Sequence, residues 1–216
     1  MRGLIFDVDE TLVYYEGYDH REWYEKWVLP ELRKRGIDLD YETYRKTVRG
    51  DLPRSYVKRF GIDHVEFWRL VDGVNLRYRK EMARLGRIKP FPDVGALEEL
   101  KRMGLKLAAV SNASQDCVEF VLHLFNLGGY FDAVYGKDYS NLDGVKPNPY
   151  LIEKALKTLS LKPWEALMVG DSHHDVIAGK RAGMKVVNVT RFGRVEGADY
   201  YVENLWELVE LVKGML

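Results

Sequence analysis

The chain has 216 residues, with 33 Lys plus Arg against 33 Asp plus Glu and therefore no formal net charge; without an excess of basic groups it is not built for sequence-independent nucleic-acid binding, which needs a basic face. Its single cysteine, Cys117, excludes an internal disulfide and a cysteine-based zinc site. Apolar runs fall far short of the roughly 18 residues a membrane helix needs, and the N-terminus enters a strand-like run without a basic-then-apolar leader, so we expect a cytoplasmic protein with no membrane or nucleic-acid partner.

Taken in chain order, Gly3-Leu4-Ile5-Phe6 reads as a first, fully buried strand, followed at once by Asp7-Val8-Asp9-Glu10-Thr11. From about Glu16 to Lys89 the pattern is helical and aromatic, with Tyr18, Trp23, Tyr24, Trp27, Tyr41, Tyr44, Phe67 and Trp68 and no βαβ unit. The chain then re-enters through Pro90-Phe91-Pro92. Helical spacing over 94–103, 115–125, 150–159, 176–183 and 203–215 alternates with short apolar runs at 106–111, 133–135, 166–170, 185–189 and 199–202. Pro92-Asp93, Gly104 and Gly183 punctuate the helix ends. Such alternation predicts an α/β fold: a Rossmann-like parallel sheet with helices on both faces. Its core covers residues 1–15 and 90–216, with an inserted α-helical domain over 16–89.

Right-handed crossovers place the C-terminal ends of parallel strands along one edge, where ligands bind. Four polar signals fall there. Asp7 and Asp9 are two residues apart on extended chain, so they point to one side; two such carboxylates repel unless a cation or substrate neutralises them. Ser111-Asn112 follows the 106–111 run as a polar pair before a helix, with a hydroxyl and backbone N–H groups suited to phosphoryl oxygens. Lys146 precedes Pro147, a residue suited to a first helical turn. Gly170-Asp171-Ser172-His173-His174-Asp175 then places two more carboxylates on a loop and helix start.

This ordered set, Asp7/Asp9/Thr11, Ser111, Lys146 and Asp171/Asp175, resembles the haloacid dehalogenase-like hydrolase superfamily and, in its helical insert, the cap-bearing phosphatases similar to phosphoglycolate phosphatases. The resemblance implies phosphoryl transfer with Mg²⁺ on a small phosphorylated metabolite. Asp7 would be the nucleophile that forms an aspartyl-phosphate, and Asp9 the general acid and base. Asp7, the Asp9 backbone carbonyl and Asp171 would hold the metal, with Asp175 direct or through water, an all-oxygen set that suits Mg²⁺. Ser111, Asn112 and Lys146 would offset charge on the phosphoryl oxygens, while Thr11 steadies the loop after Asp7.

In the insert, Arg49, Arg54 and Lys58 flank the Gly50-Asp51-Leu52-Pro53 break and are the candidate cationic contacts to substrate. His173 and His174 read as exposed or supporting groups, because carboxylates already supply the metal site. A 2-haloacid dehalogenase needs no protonated leaving group, so Asp9 argues against that chemistry. A sugar phosphomutase shares both aspartates, and a non-catalytic phospholigand-binding module would have no use for them. Oligomeric state is not encoded in any motif.

Overall fold

The computed structural model describes residues 1–49 and 51–216. The chain divides into two compact units, Met1–Tyr14 with Lys89–Leu216, and Tyr15–Ile88. In chain order the elements are β1 (Gly3–Phe6), β2 (Val13–Tyr15), α1 (His20–Trp23), α2 (Leu29–Arg33), α3 (Tyr41–Arg49), α4 (His64–Arg84) and β3 (Ile88–Pro90). They continue with α5 (Ala96–Arg102), β4 (Lys106–Ser114), α6 (Gln115–Leu124), β5 (Ala133–Lys137), α7 (Tyr150–Leu159), β6 (Ala166–Gly170), α8 (His173–Arg181), β7 (Lys185–Val189), β8 (Tyr200–Val202) and α9 (Leu205–Lys213).

In the first unit the described strands form a parallel sheet in the order β5-β4-β1-β6-β7-β8. β1 lies between β4 and β6, in register Phe6↔Ala109 and Phe6↔Val169. The order therefore reverses beside β1, the switch point where open α/β sheets bind ligands. Every β1 residue is buried, as a central parallel strand covered on both faces requires. Alternation sends Ile5, Ala108, Val110 and Met168 to the face covered by Leu151, Ile152 and Ala155 of α7 and Val176 of α8, one continuous apolar core. Gly3 leaves space that a Cβ would lose, since it would lie 2.5 Å from Leu161 Cδ1 and 2.8 Å from the Lys106 carbonyl.

The second unit is helical. α4 begins with a capping box in which Asp63 accepts from the Glu66 N–H at 2.8 Å and Glu66 accepts from the Asp63 N–H at 2.9 Å. Its core is aromatic, with Tyr24 and Tyr44 stacked at 4.2 Å between centroids and Phe67 fully buried. α1 runs through a π-helical turn at Tyr24–Val28 into α2, and a 3₁₀ stretch, Arg54–Phe60, precedes α4.

Three local expectations need correction. β4 runs to Ser114, so Ser111 and Asn112 lie within a strand, and Ser114 rather than Ser111 is the residue before α6. Pro147 does not open α7; Pro149 stands at that boundary, where the Asn148 side chain accepts from the Tyr150 N–H at 3.0 Å. α8 starts at His173, three residues before the predicted 176, because Ser172 and Asp175 form its capping box. β2 and β3, which pair as a separate two-stranded sheet, were not predicted; three residues are too few for an alternation to register. Among the described residues no helix is long and apolar enough to cross a membrane.

Candidate active site

The site begins where β1 ends. The Asp7 N–H donates to the Val169 carbonyl at 2.9 Å, extending the β1–β6 ladder by one residue and fixing the direction of the Asp7 side chain. The chain then turns sharply: Glu10 adopts φ 63°, a left-handed conformation rare for a residue with a Cβ. Val8 O accepts from the N–H groups of Leu12 and Val13, and Glu10 N–H donates to Val13 O at 2.7 Å. That turn brings Thr11 back to the site. Its buried hydroxyl donates to Asp171 Oδ1 at 2.8 Å, with Asp7 Oδ2 at 3.4 Å.

Lys146 is the centre of the cluster. Only 4% exposed, its ammonium donates to Asp7 Oδ1, to Asp175 Oδ1 at 2.6 Å and to the Val110 carbonyl at 3.2 Å. The Asn112 side chain reads the Lys146 backbone at two points: Oδ1 accepts from the Lys146 N–H at 2.7 Å, and Nδ2 donates to the Lys146 carbonyl at 2.8 Å. Expected as a phosphate contact, Asn112 is seen here fixing the lysine's position. Ser111, buried, has its hydroxyl 3.4 Å from Asp9 Oδ2 and accepts from the Ala113 N–H at 3.0 Å.

Asp175 is buried in the first turn of α8, where its Oδ2 accepts from the Ser172 N–H at 3.0 Å and hydroxyl at 2.6 Å. Gly170 has no room for a side chain on that side: a Cβ there would lie 2.4 Å from Asp175 Cγ. Asn188, polar in an otherwise apolar β7, is fully buried and donates to the Gly170 and Asp171 carbonyls, both at 3.3 Å, while accepting from the Val195 N–H at 2.8 Å. Sequence reading missed Gly170 and Asn188 as site supports. The interruption of Lys185–Val189 by an asparagine was the available signal, since a buried polar side chain needs partners.

Ligand atoms of Asp7, Asp171 and Asp175 lie within 4.8 Å of one another. Burial raises the Asp7 carboxyl well above the usual range; Lys146 opposes this, and the charges of Asp175 and Asp171 add to it. Asp171 is pushed up to about 6, by burial first and the Asp175 charge second. Burial disfavours the Lys146 ammonium, but Asp175 and Asp7 outweigh it and raise its pKa. Three carboxylates against one ammonium leave a formal charge of about −2 when all are ionised, and their donors are all oxygen. A hard divalent cation fits both features.

Asp7, Asp9, Ser111, Asn112, Lys146, Asp171 and Asp175 therefore gather at one edge of the sheet, linked by the contacts above. Arg49, Arg54 and Lys58 belong to the helical unit, on α3 and the following 3₁₀ stretch, where all three are exposed. Gly50, in the break they flank, lies outside the described residues. His173 and His174 are exposed.

The chain is 44% identical over 193 residues to a phosphoglycolate phosphatase of Aquifex aeolicus, covering 86% of this chain and 83% of that protein. It is 38% identical over 125 residues to the pyrophosphatase PpaX of Bacillus cereus, a match that spans only 55% of this chain and 57% of that protein. A crystal structure of a HAD phosphatase from Thermococcus onnurineus superposes with a TM-score of 0.64 at 26% identity, covering 99% of both chains. The family model described as haloacid dehalogenase-like hydrolase matches residues 4–189, and the chain belongs to that family.

Proposed function

We propose that this protein is a Mg²⁺-dependent phosphatase that hydrolyses a small phosphorylated metabolite through a phosphoryl group carried on Asp7. The observation that carries this reading is the buried bridge of Lys146 between Asp7 and Asp175, beside Asp171 and with Asp9 two residues further along. Asp7 Oδ attacks phosphorus as the ester oxygen departs. Asp9 protonates that oxygen and then removes a proton from the water that hydrolyses the Asp7 phosphate, which splits one slow hydrolysis into two faster steps. Lys146 and Ser111 offset charge on the transferring oxygens, the demand that dominates phosphoryl transfer. Asp7, the Asp9 carbonyl, Asp171 and Asp175 would hold Mg²⁺, which when bound supplies further charge neutralisation at the phosphoryl oxygens.

The name of the Aquifex relative makes phosphoglycolate the first candidate substrate, and that of PpaX makes inorganic pyrophosphate the second. We assign substrate selection to the helical unit acting as a cap, with Arg49, Arg54 and Lys58 as the cations to replace. The test is hydrolysis of an aryl phosphate, phosphoglycolate and pyrophosphate with Mg²⁺ and with EDTA, using wild type and Asp7→Asn. Turnover that needs Mg²⁺ and vanishes in Asp7→Asn is expected. Turnover that survives either change overturns the reading. Replacing the three cations should raise KM for the true substrate while leaving kcat for the aryl phosphate unchanged.

A further inference from the structure

Arg191 lies just beyond β7, at the same edge of the sheet as the carboxylate cluster but in none of its motifs. Its side chain is 7% exposed. One guanidinium nitrogen, Nη2, donates to Asp93 Oδ1 at 2.8 Å and to the Thr11 backbone carbonyl at 3.1 Å. The guanidinium lies over the Phe91 ring, 3.9 Å from its centroid, while its Nε is buried without a hydrogen-bond partner. Asp93 is fixed in turn, its Oδ2 accepting from the Leu205 N–H at the start of α9 at 2.7 Å. A second tie runs parallel: the Phe91 N–H donates to the Leu12 carbonyl at 2.9 Å.

These contacts meet on a loop that cannot hold its shape by local preference. Glu10 is left-handed, and a non-glycine residue persists there only where surrounding contacts over-determine it. The bonds inside the loop occupy the carbonyls of Val8 and Val13. Thr11 O is held from outside, by a residue 180 positions away. The same residue's hydroxyl donates to Asp171. Burying an arginine with an unmet Nε is unfavourable in itself, so packing alone does not account for its placement.

We propose that Arg191 is a positioning residue for the Asp7–Thr11 loop: by gripping the Thr11 carbonyl against Asp93 and Phe91, it aims the Thr11 hydroxyl at Asp171 and so sets the spacing of the metal-binding carboxylates. The consequence for metal and turnover rests on the function proposed above; the grip on the loop does not. A planar guanidinium can stack on Phe91 while donating in its own plane, which an ammonium cannot. Lysine at 191 therefore recovers the charge pair with Asp93 and only part of the effect.

Amide hydrogen exchange in EDTA, read residue by residue for wild type, Arg191→Met and Arg191→Lys, tests the grip without metal. Leu12, Val13 and Glu10 N–H groups should exchange at least tenfold faster in Arg191→Met, and by an intermediate factor in Arg191→Lys, while β6 amides keep their wild-type rates. Calorimetric titration with Mg²⁺ should then show about tenfold weaker binding to Arg191→Met, and kcat for an aryl phosphate should fall with KM unchanged. Loop exchange at the wild-type rate, or faster exchange shared equally by β6, overturns the proposal. Should Arg191→Met not fold, Arg191→Lys decides by the same criterion. A wild type that neither binds Mg²⁺ nor turns over, yet whose loop loosens in the variants, refutes the phosphatase reading and leaves the grip standing.

Discussion

Gly170→Ala adds one methyl group at a place where the structure leaves none. The new Cβ would lie 2.4 Å from Asp175 Cγ and 2.6 Å from its Cβ and Oδ2, against an ordinary contact of at least 3.4 Å, so the Asp175 carboxylate must retreat by about 1 Å. Gly170 has an ordinary negative-φ backbone and is absent from the positive-φ glycines, so alanine brings no backbone strain of its own. Asp175 holds Lys146 Nζ at 2.6 Å and the Ser172 hydroxyl and N–H at 2.6 and 3.0 Å. Losing one such bond to a charged group costs about 1.5–3 kcal/mol, and the overpacking adds about 1–3 kcal/mol. A total of about 2.5–6 kcal/mol is within what a domain of this size tolerates. On the proposed function, in which Asp175 helps to hold Mg²⁺, displacing its carboxylate should also weaken Mg²⁺ binding about 10–100-fold, as loss of supporting contacts does at metal sites. Urea denaturation in EDTA reads the first effect and calorimetric Mg²⁺ titration the second. A loss below about 1 kcal/mol with wild-type Mg²⁺ affinity would refute the claim that Asp175 is held against the Gly170 backbone.

Lys146→Met should cost about 3–5 kcal/mol at pH 7 in urea denaturation, because it leaves Asp7 and Asp175 buried without their cation, and should lower aryl phosphate turnover by about 10²–10³-fold. Asp171→Asn removes a carboxylate that burial first, and the Asp175 charge second, push up to about 6 from an ordinary 3.8. A raised carboxylate pKa means that the folded state binds protons more readily, so wild-type stability falls as pH rises between about 4 and 6. In EDTA the Asn variant should therefore be more stable than wild type, by at most about 3 kcal/mol at pH 7 and about half that at pH 5; no gain at pH 7 contradicts the assignment. Asn keeps the acceptor for the Thr11 hydroxyl, so the comparison isolates the charge. Asn112→Ala removes both hydrogen bonds to the Lys146 backbone and should cost about 1–3 kcal/mol. It should depress kcat for an aryl phosphate more than it changes KM, and steady-state kinetics showing a KM effect alone would return Asn112 to a purely substrate-binding role.

Legibility of the fold tracked the length and burial of its elements. β6 and β7 coincide with the predicted 166–170 and 185–189, and α7 with 150–159, because short valine-rich or apolar runs and a clean helical stripe carry their own boundaries, even with Asn188 inside β7. The start of α8 was hidden by His173, His174 and Asp175, polar residues whose helical state depends on the Ser172–Asp175 cap. β4 outran its apolar run because Ser114 pairs with Lys137 of β5 beyond a shift in register, a partner that no local pattern names. The residues that gather at the candidate site were legible where they sit in short motifs, as at Asp7-x-Asp9 and Gly170-Asp171-x-x-x-Asp175. Its supports were not. Asn188 acts on Asp171 across 17 positions and Arg191 on Thr11 across 180, and such roles exist only once the sheet has brought β7 beside β6 and the loop after β1.

The central claim is that Asp7 carries the phosphoryl group, and rapid-quench measurement with a ³²P-labelled phosphate ester tests it most directly. The account predicts a burst of protein-bound, hydroxylamine-sensitive label with Mg²⁺, located on Asp7 by borohydride reduction and peptide mass analysis, and absent from Asp7→Asn. Steady turnover with no bound label at any time, or label on another residue, would contradict it.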